Sequence, residues 1–402
     1  MNRIENSQIG YTTSRTILSA VLSTVAAAIV LAIPAVAQEQ GFGATTDLAL
    51  GSDSNIYRTQ NDISDQFLLI SPKIGFKELQ GKHVFTLGYD GTYIQYNDLS
   101  KLNYENHEIG AKAEFDHSTK LTSQFTVKFI DGVELPGLNN SITTDNLTDF
   151  NQIKRQQYEA KVAYGRSDSI GQVVLRYQKT NNEFDNNNQA FRDYDADRIT
   201  ATFFYRIAPK TRLLFEVADR SIDYINQTTF NSSSQYRNYL VGAEWTATGK
   251  TRGVVKIGQQ SQDFDNPLRD NISGLAVFAD VFWKANTYTE LQLGLSRQTA
   301  ESAEASIGSF VQTDLKLSLE HAFTPRISLD GGYIYGEDDI VFSNNRTDKR
   351  HTLEVSLKHD TSRLFQTFFT LQATKRSSND ARYDYSANSI MIGIQGTFGQ
   401  KV

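Results

Sequence analysis

Two neighbouring segments carry arginine and glutamate on alternate positions. From Asp197 to Ile207 these include Arg198 and Arg206; from Arg212 to Tyr224 they include Arg212, Glu216 and Arg220. Glu244 and Lys256 occupy the same register in the two segments that follow. In an extended chain, side chains two apart share a face. All seven would then stand on one face of a sheet, opposite an apolar face such as Ile199, Ala201, Phe203, Tyr205 and Ile207. Charges so arranged brace a wall by pairing across strands. Where arginine dominates, they can also guide an anionic solute through a pore. For any residue taken singly, bracing is the simpler account.

Other reactive side chains are scattered. The six histidines are His83, His107, His117, His321, His351 and His359, and none has metal-ligand spacing. A hydrolase would need a serine or aspartate poised against one of them, which only pairing across strands could supply. Gly249-Lys250-Thr251 ends like a phosphate-binding loop, but Glu244 stands where that motif needs its first glycine, so a hairpin turn is expected. Asp338-Asp339 could hold a cation that bridges lipopolysaccharide; a solvated loop tip is the simpler reading. The chain has no cysteine, which excludes disulfides, thiolate metal sites and cysteine nucleophiles. No metal, no cofactor and no enzymatic activity is expected.

The elements that must hold these residues repeat along the whole chain. About eighteen segments alternate apolar and polar residues, as in Ala276-Val277-Phe278-Ala279-Asp280-Val281-Phe282-Trp283. Links after even-numbered segments are short, such as Gln80-Gly81-Lys82 and Ala208-Pro209-Lys210. Links after odd-numbered ones are longer and rich in Asn, Asp and Ser; the longest, Asp131 to about Lys154, contains Leu135-Pro136-Gly137. This rhythm predicts an all-β fold: a transmembrane antiparallel up-and-down β-barrel of 16–18 strands, its short turns periplasmic and its long loops outside. An even strand count puts both chain ends on the periplasmic side. Expected strands include Leu121 to Ile130, Arg155 to Tyr164, Gly171 to Lys179, Ile327 to Tyr335 and His351 to His359. The charges, costing ~2–4 kcal/mol each on the lipid face, belong inside, where they predict a polar, wet lumen.

Residues 1–37 read as a cleaved signal peptide. Arg3 and Arg15 precede an apolar run from Ile17 to Ile33, and Ala35-Val36-Ala37 has the small-x-small cleavage pattern. Residues 38–402 would be the barrel, with no room for a second domain. The leader holds Arg3, Arg15 and Glu5, a net +1, so the whole-chain charge of −6 becomes −7. That mild acidity offers no basic field for nucleic acid. A mean hydropathy of −0.43 excludes a helical membrane protein but not a barrel, since only alternate residues meet lipid. The 24 Phe and 19 Tyr suit strands and interfacial girdles.

The first strand ends Leu50-Gly51-Ser52-Asp53-Ser54-Asn55-Ile56-Tyr57-Arg58, and Ser64-Asp65 and Ile70-Ser71-Pro72 follow. With Asp53, Asn55, Tyr57 and Arg58, this resembles the opening of the β-barrel porin 2 family, the EpsL-type outer-membrane barrels found with exopolysaccharide gene clusters. The resemblance implies a role in polysaccharide export or surface anchoring and no catalytic residues. The last strand ends in Phe398, similar to the aromatic-ended signal read by the barrel-assembly machinery, although Gly396 replaces an apolar residue and four residues follow.

The expectation is therefore a barrel of the Gram-negative outer membrane acting as a passive conduit or accessory for exopolysaccharide. Its partners would be membrane lipid and lipopolysaccharide, the assembly machinery, and the polysaccharide with its export apparatus. The alternatives are a general small-solute porin and an adhesive barrel whose outer loops bind a partner.

Overall fold

The computed structural model describes residues 40–138, 148–227, 231–248, 250–304, 306–340 and 345–399. The expected leader at residues 1–37 lies outside them. The strands are β1 (Gly41–Asp53), β2 (Asp65–Gln80), β3 (His83–Tyr96), β4 (Tyr104–Asp116), β5 (Leu121–Glu134) and β6 (Asn151–Tyr164). Then come β7 (Gly171–Phe184), β8 (Tyr194–Ala208), β9 (Thr211–Tyr224), β10 (Ser234–Thr248), β11 (Thr251–Phe264) and β12 (Ile272–Lys284). The last are β13 (Thr289–Glu301), β14 (Ser309–Thr324), β15 (Ile327–Ile340), β16 (Arg346–Asp360), β17 (Phe365–Ser378) and β18 (Tyr385–Gly399). Each pairs antiparallel with its sequence neighbours, and β18 pairs with β1 from Gly43 opposite Gly399 to Asp53 opposite Ser389. The eighteen-stranded sheet is closed, so no edge is left unpaired in lipid.

The alternation sorts the side chains. Leu50 is 64% exposed, Ile392 63% and Ile199 61%, and each belongs to an apolar row on the outside. A soluble protein rarely shows an apolar patch above a few hundred Å²; here the rows run round the whole wall, as a lipid-facing surface must. A lower ring of aromatics, including Tyr164, Tyr205, Trp283, Phe323 and Phe398, marks the membrane boundary at the end with short links. An upper ring is tied by histidine: His107 Nδ1 lies 2.9 Å from the Tyr89 hydroxyl, and His351 Nδ1 2.9 Å from that of Tyr333.

At the lower end the links run from two residues (81–82) to six (165–170); at the upper end they run from five (341–345) to sixteen (135–150). The start of β1 at Gly41 and the end of β18 at Gly399 lie with the short links. Several strands extend beyond their expected upper ends: β5 runs to Glu134 rather than Ile130, β7 to Phe184 rather than Lys179, and β15 to Ile340 rather than Tyr335, while β6 begins at Asn151 and β16 at Arg346. Above the lipid both faces meet polar surroundings, so the alternation fades while backbone pairing continues.

Candidate functional site

Arg198 and Arg206 on β8, Arg212, Glu216 and Arg220 on β9, Glu244 on β10 and Lys256 on β11 all lie in the inward register. Arg212 donates to Glu244 (2.8 Å) and to Gln172 (2.7 Å), and Lys256 to Glu216 (2.9 Å). Arg220 reaches Glu301 only at 3.9 Å. Two cross-strand pairs set like charges face to face, Arg198 opposite Arg220 and Arg206 opposite Arg212. Such opposition is destabilising. Neither Arg198 nor Arg206 has a carboxylate within 4 Å among the described residues.

The imbalance covers a quarter of the wall. The inward positions of β6 to β9 hold seven cations (Arg155, Lys161, Arg176 and the four arginines above) but two carboxylates, Glu159 and Glu216. On the far side the charges are matched: Arg350 pairs with Asp314 and Asp338, Lys358 with Asp330, and Arg376 with Asp348. Asp338 is thus a buried partner inside β15, and Asp339 faces outward near Arg297 at 3.5 Å; neither is a solvated loop tip.

The lumen is less polar than expected. Leu214, Ala218 and Ile222 line the inner face of β9, and Ala49, Phe67, Leu69, Ile94, Phe368 and Met391 form an apolar cluster inside β1–β3 and β17–β18. Tyr224 on β9 donates to Glu301 on β13 at 2.8 Å, although four strand spacings amount to ~19 Å along a flat sheet. The wall therefore bends sharply between them, and the corner fills with side chains. Inward rings also back the cations. Arg212 lies 4.1 Å from the Phe204 ring, Arg252 4.4 Å from Phe282, Lys256 4.9 Å from Phe278 and Arg220 6.0 Å from Tyr194. At the upper mouth Arg192 sits 4.1 Å from Phe184 and Arg269 5.8 Å from Phe264. These pairs step from one end of the barrel to the other along β7–β12. Phe204, Phe278 and Phe282 sit at the positions that flank outward apolar residues, so only three-dimensional register separates them from the lipid face.

The upper loops lock into one another. Ile56, Tyr57, Leu102 and Phe150 pack together from three successive loops, with Leu135 against them. Asn186 donates to the Phe150 carbonyl (2.8 Å), Asn226 to Asp193 (2.9 Å), and Arg269 to the carbonyls of Asn231 (3.2 Å) and Ile307 (2.9 Å). Tyr383, in the β17–β18 link, donates to Glu304 (2.6 Å); burial and that carboxylate push its hydroxyl well above the usual range, so it remains a donor. The β5–β6 loop crosses furthest. Its Gly137 carbonyl accepts from Arg376 of β17 (3.3 Å), six strands away, and the Arg192 guanidinium clamps Glu134 at its root (2.6 and 2.7 Å). Gly137 needs its glycine: φ is +80°, and a Cβ there would meet the Tyr385 hydroxyl at 2.9 Å.

The family model described as "putative beta-barrel porin 2" matches residues 44–398. The chain belongs to that family. No curated protein matches it. Among solved structures it is similar to OccK2 (OpdF) of Pseudomonas aeruginosa, at 9% identity over 89% of this chain and 98% of that one, TM-score 0.50. It is also similar to a BenF-like porin of Pseudomonas fluorescens Pf-5 (11% identity, 90% and 99% covered, TM-score 0.47). A third is the siderophore receptor PiuA of Acinetobacter baumannii (10% identity, 91% and 82% covered, TM-score 0.47). The likenesses are of fold. This porin-family barrel resides in the Gram-negative outer membrane.

In this porin the opening motif is a clasp. Asp53 accepts both Nη atoms of Arg58 (2.8 and 2.7 Å) and the Asn55 amide (2.9 Å). Asn55, 0% exposed, donates to the carbonyls of Thr59 (2.7 Å) and Ser386 (2.9 Å), with Asp62 sharing one of those hydrogens at 3.1 Å, and accepts from the Thr59 amide (3.3 Å). Ser386 belongs to β18, so the clasp ties the first loop across the seam where the barrel closes. Asn55→Ala should destabilise the barrel by about 3 kcal/mol, at roughly 1 kcal/mol per lost bond. Urea titration read by heat-modifiable gel mobility measures this, and an unshifted midpoint would refute the clasp. Phe398 faces lipid and meets Phe365 edge-on at 6.3 Å; those two rings cover the outward space at Gly396. His117 Nε2 lies 2.7 Å from Ser123 Oγ at the rim with the short links, but no carboxylate holds its Nδ1 among the described residues, and its ring stacks on Phe115. That makes it an interfacial contact. Lys250 sits in the two-residue β10–β11 link, as a turn residue; Gly249 lies outside the described residues.

Proposed function

We propose that this porin-family barrel is a passive conduit for polysaccharide across the outer membrane. The observation that carries the reading is the file of ring-backed cations on β7–β12, running from mouth to mouth. The flat CH faces of a sugar pack on aromatic rings, while guanidinium and ammonium groups hold hydroxyl and acidic substituents; repeated contacts of moderate strength let a polymer move. Barrels of this strand number leave an aqueous channel, and passage through one needs no energy source. The resemblance around Asp53 and Asn55 points the same way.

Two measurements test it. In planar bilayers the barrel should give steady, anion-preferring currents, and replacing Arg198, Arg206 and Arg212 together by Ser should lower the anion-to-cation permeability ratio roughly threefold. An unchanged reversal potential would remove these residues from the path. Deleting the gene should abolish extracellular polymer and spare small-solute uptake; normal polymer output would overturn the conduit. The interlocked upper loops favour a second reading, a porin for small anionic solutes. It would show solute uptake lost and polymer retained.

A further inference from the structure

We infer that the inner face of β7–β9 holds an anion-binding subsite, built on Arg176, Arg198 and Arg220, for the carboxylates of an acidic polysaccharide. The inference rests on the conduit reading and adds the charge of what passes.

Register brings the three together. Arg198 and Arg220 are direct cross-strand partners, and Arg176 stands opposite Thr200, one inward position along β8 from Arg198. Adjacent strands lie ~4.8 Å apart, so three guanidiniums share a patch about 10 Å across. Nearby carboxylates do not balance them. Glu159 approaches Arg176 at 3.5 Å, and Glu216 is occupied by Lys256 and Thr202. Glu301 accepts from Tyr224 and Ser309 at 2.8 and 3.1 Å, closer than its 3.9 Å contact with Arg220. The Arg198 Nε is buried without a hydrogen-bond partner, and the Arg176 Nε has only the ion-pair contact to Glu159 at 3.5 Å.

A wall braced for stability alone would not gather cations this way. Like charges opposed across strands cost stability, and a buried donor left unmet costs about 1–3 kcal/mol. A carboxylate entering the patch answers both deficits with charge-assisted, fork-shaped contacts that arginine makes better than lysine. The rings set the remainder of the ligand. Tyr194 and Tyr224 lie 5.6 Å apart beside Arg220, and Tyr236 is its direct partner on β10. Flat apolar ring faces beside guanidiniums fit a pyranose bearing an acid group better than a bare inorganic anion. The patch runs from mid-strand at Arg176 to the upper part of β8 and β9, beneath the loops, where an outgoing polymer would meet it last.

The test is calorimetric titration of the purified barrel in detergent with oligomers of a uronic acid, neutral gluco-oligomers of equal length, and inorganic phosphate. The uronate oligomers should bind, more weakly as salt rises, and the neutral oligomers should bind at least about tenfold less tightly, the value of one charge-assisted contact. Arg198→Gln and Arg220→Gln should each lose about tenfold, while Arg237→Gln on the outward rim should bind as the native barrel does. Heat-modifiable gel mobility confirms that each variant is folded. Equal affinity in native and Arg198→Gln barrels, or for neutral and acidic oligomers, overturns the subsite. Phosphate binding as tightly as the uronate overturns its carbohydrate part. Conductance separates the two readings: currents without uronate binding sink the subsite and spare the conduit, whereas binding by a barrel that never conducts does the reverse.

Discussion

Arg376→Met should destabilise the barrel by about 3–5 kcal/mol, the cost of removing one partner from a buried ion pair. Arg376 is 1% exposed in its side chain and Asp348 is 0%. The Arg376 Nη2 donates to Asp348 at 2.5 Å, while Nη1 reaches the Gly137 carbonyl. Without it, Asp348 keeps Arg346 at 3.3 Å as its one cation among the described residues, and its Oδ1 already lacks a hydrogen bond. Methionine fills most of the volume, so the loss would be electrostatic rather than a cavity. The double variant Arg376→Met/Asp348→Leu should regain most of the stability, because apolar groups often replace a buried pair at little cost. Arg346 would still hold Glu304 at 3.1 Å and stack on Tyr383 at 3.6 Å. The midpoint of urea unfolding into detergent is the readout. A single variant within about 1 kcal/mol of native, or a double variant worse than the single, would refute the pair's role.

Much of this architecture is legible in the chain because lipid imposes a rule on every second residue. Ile199 to Ile207 can alternate in only one register without placing Arg198 or Arg206 in hydrocarbon, so the inward charges follow, and repetition of the pattern along the chain gives the strands. Three kinds of feature escape. The upper ends of β5, β7 and β15 carry no alternation because they rise above the lipid. Inward apolar residues are hidden where both faces are apolar: Phe67-Leu68-Leu69-Ile70 and Leu213-Leu214-Phe215 read as strand but not as a filled lumen. The contacts that tie the upper loops join distant residues: Glu134 and Arg192 are 58 apart, Gly137 and Arg376 239. Nothing local in an Asn-rich loop says which carbonyl on another loop it will meet. The motif at Asp53 and Asn55 was visible as a family likeness, but its work as a clasp across the β1–β18 seam appears only once Ser386 is beside it.

The upper mouth gives the other large expected effect. Glu134→Gln should loosen the β5–β6 loop, because the clamp from Arg192 is bidentate and buried, with side chains 5% and 7% exposed. Glutamine keeps the shape and one acceptor oxygen but removes the charge, leaving Arg192 a buried cation that, among the described residues, then has that oxygen, the Phe184 ring and Gln189 at 3.4 Å. Stranding a buried charge costs about 3–5 kcal/mol. The loop can avoid that cost locally by swinging Arg192 into water, without unfolding the wall. Opening at this root would also pull Leu135 from the cluster with Ile56, Tyr57 and Leu102, and strain the reach of Gly137 to Arg376. The absence of native cysteine makes this easy to follow. A reporter at Leu102→Cys, 1% exposed beneath the loops, should react slowly with a bulky water-soluble maleimide in the otherwise native barrel. Adding Glu134→Gln should speed labelling at least about tenfold, which corresponds to shifting a local opening equilibrium by ~1.4 kcal/mol, well inside the energy of the broken pair. Unchanged labelling would mean that the loops are held by their apolar cluster alone and that the Glu134–Arg192 pair is a passive brace.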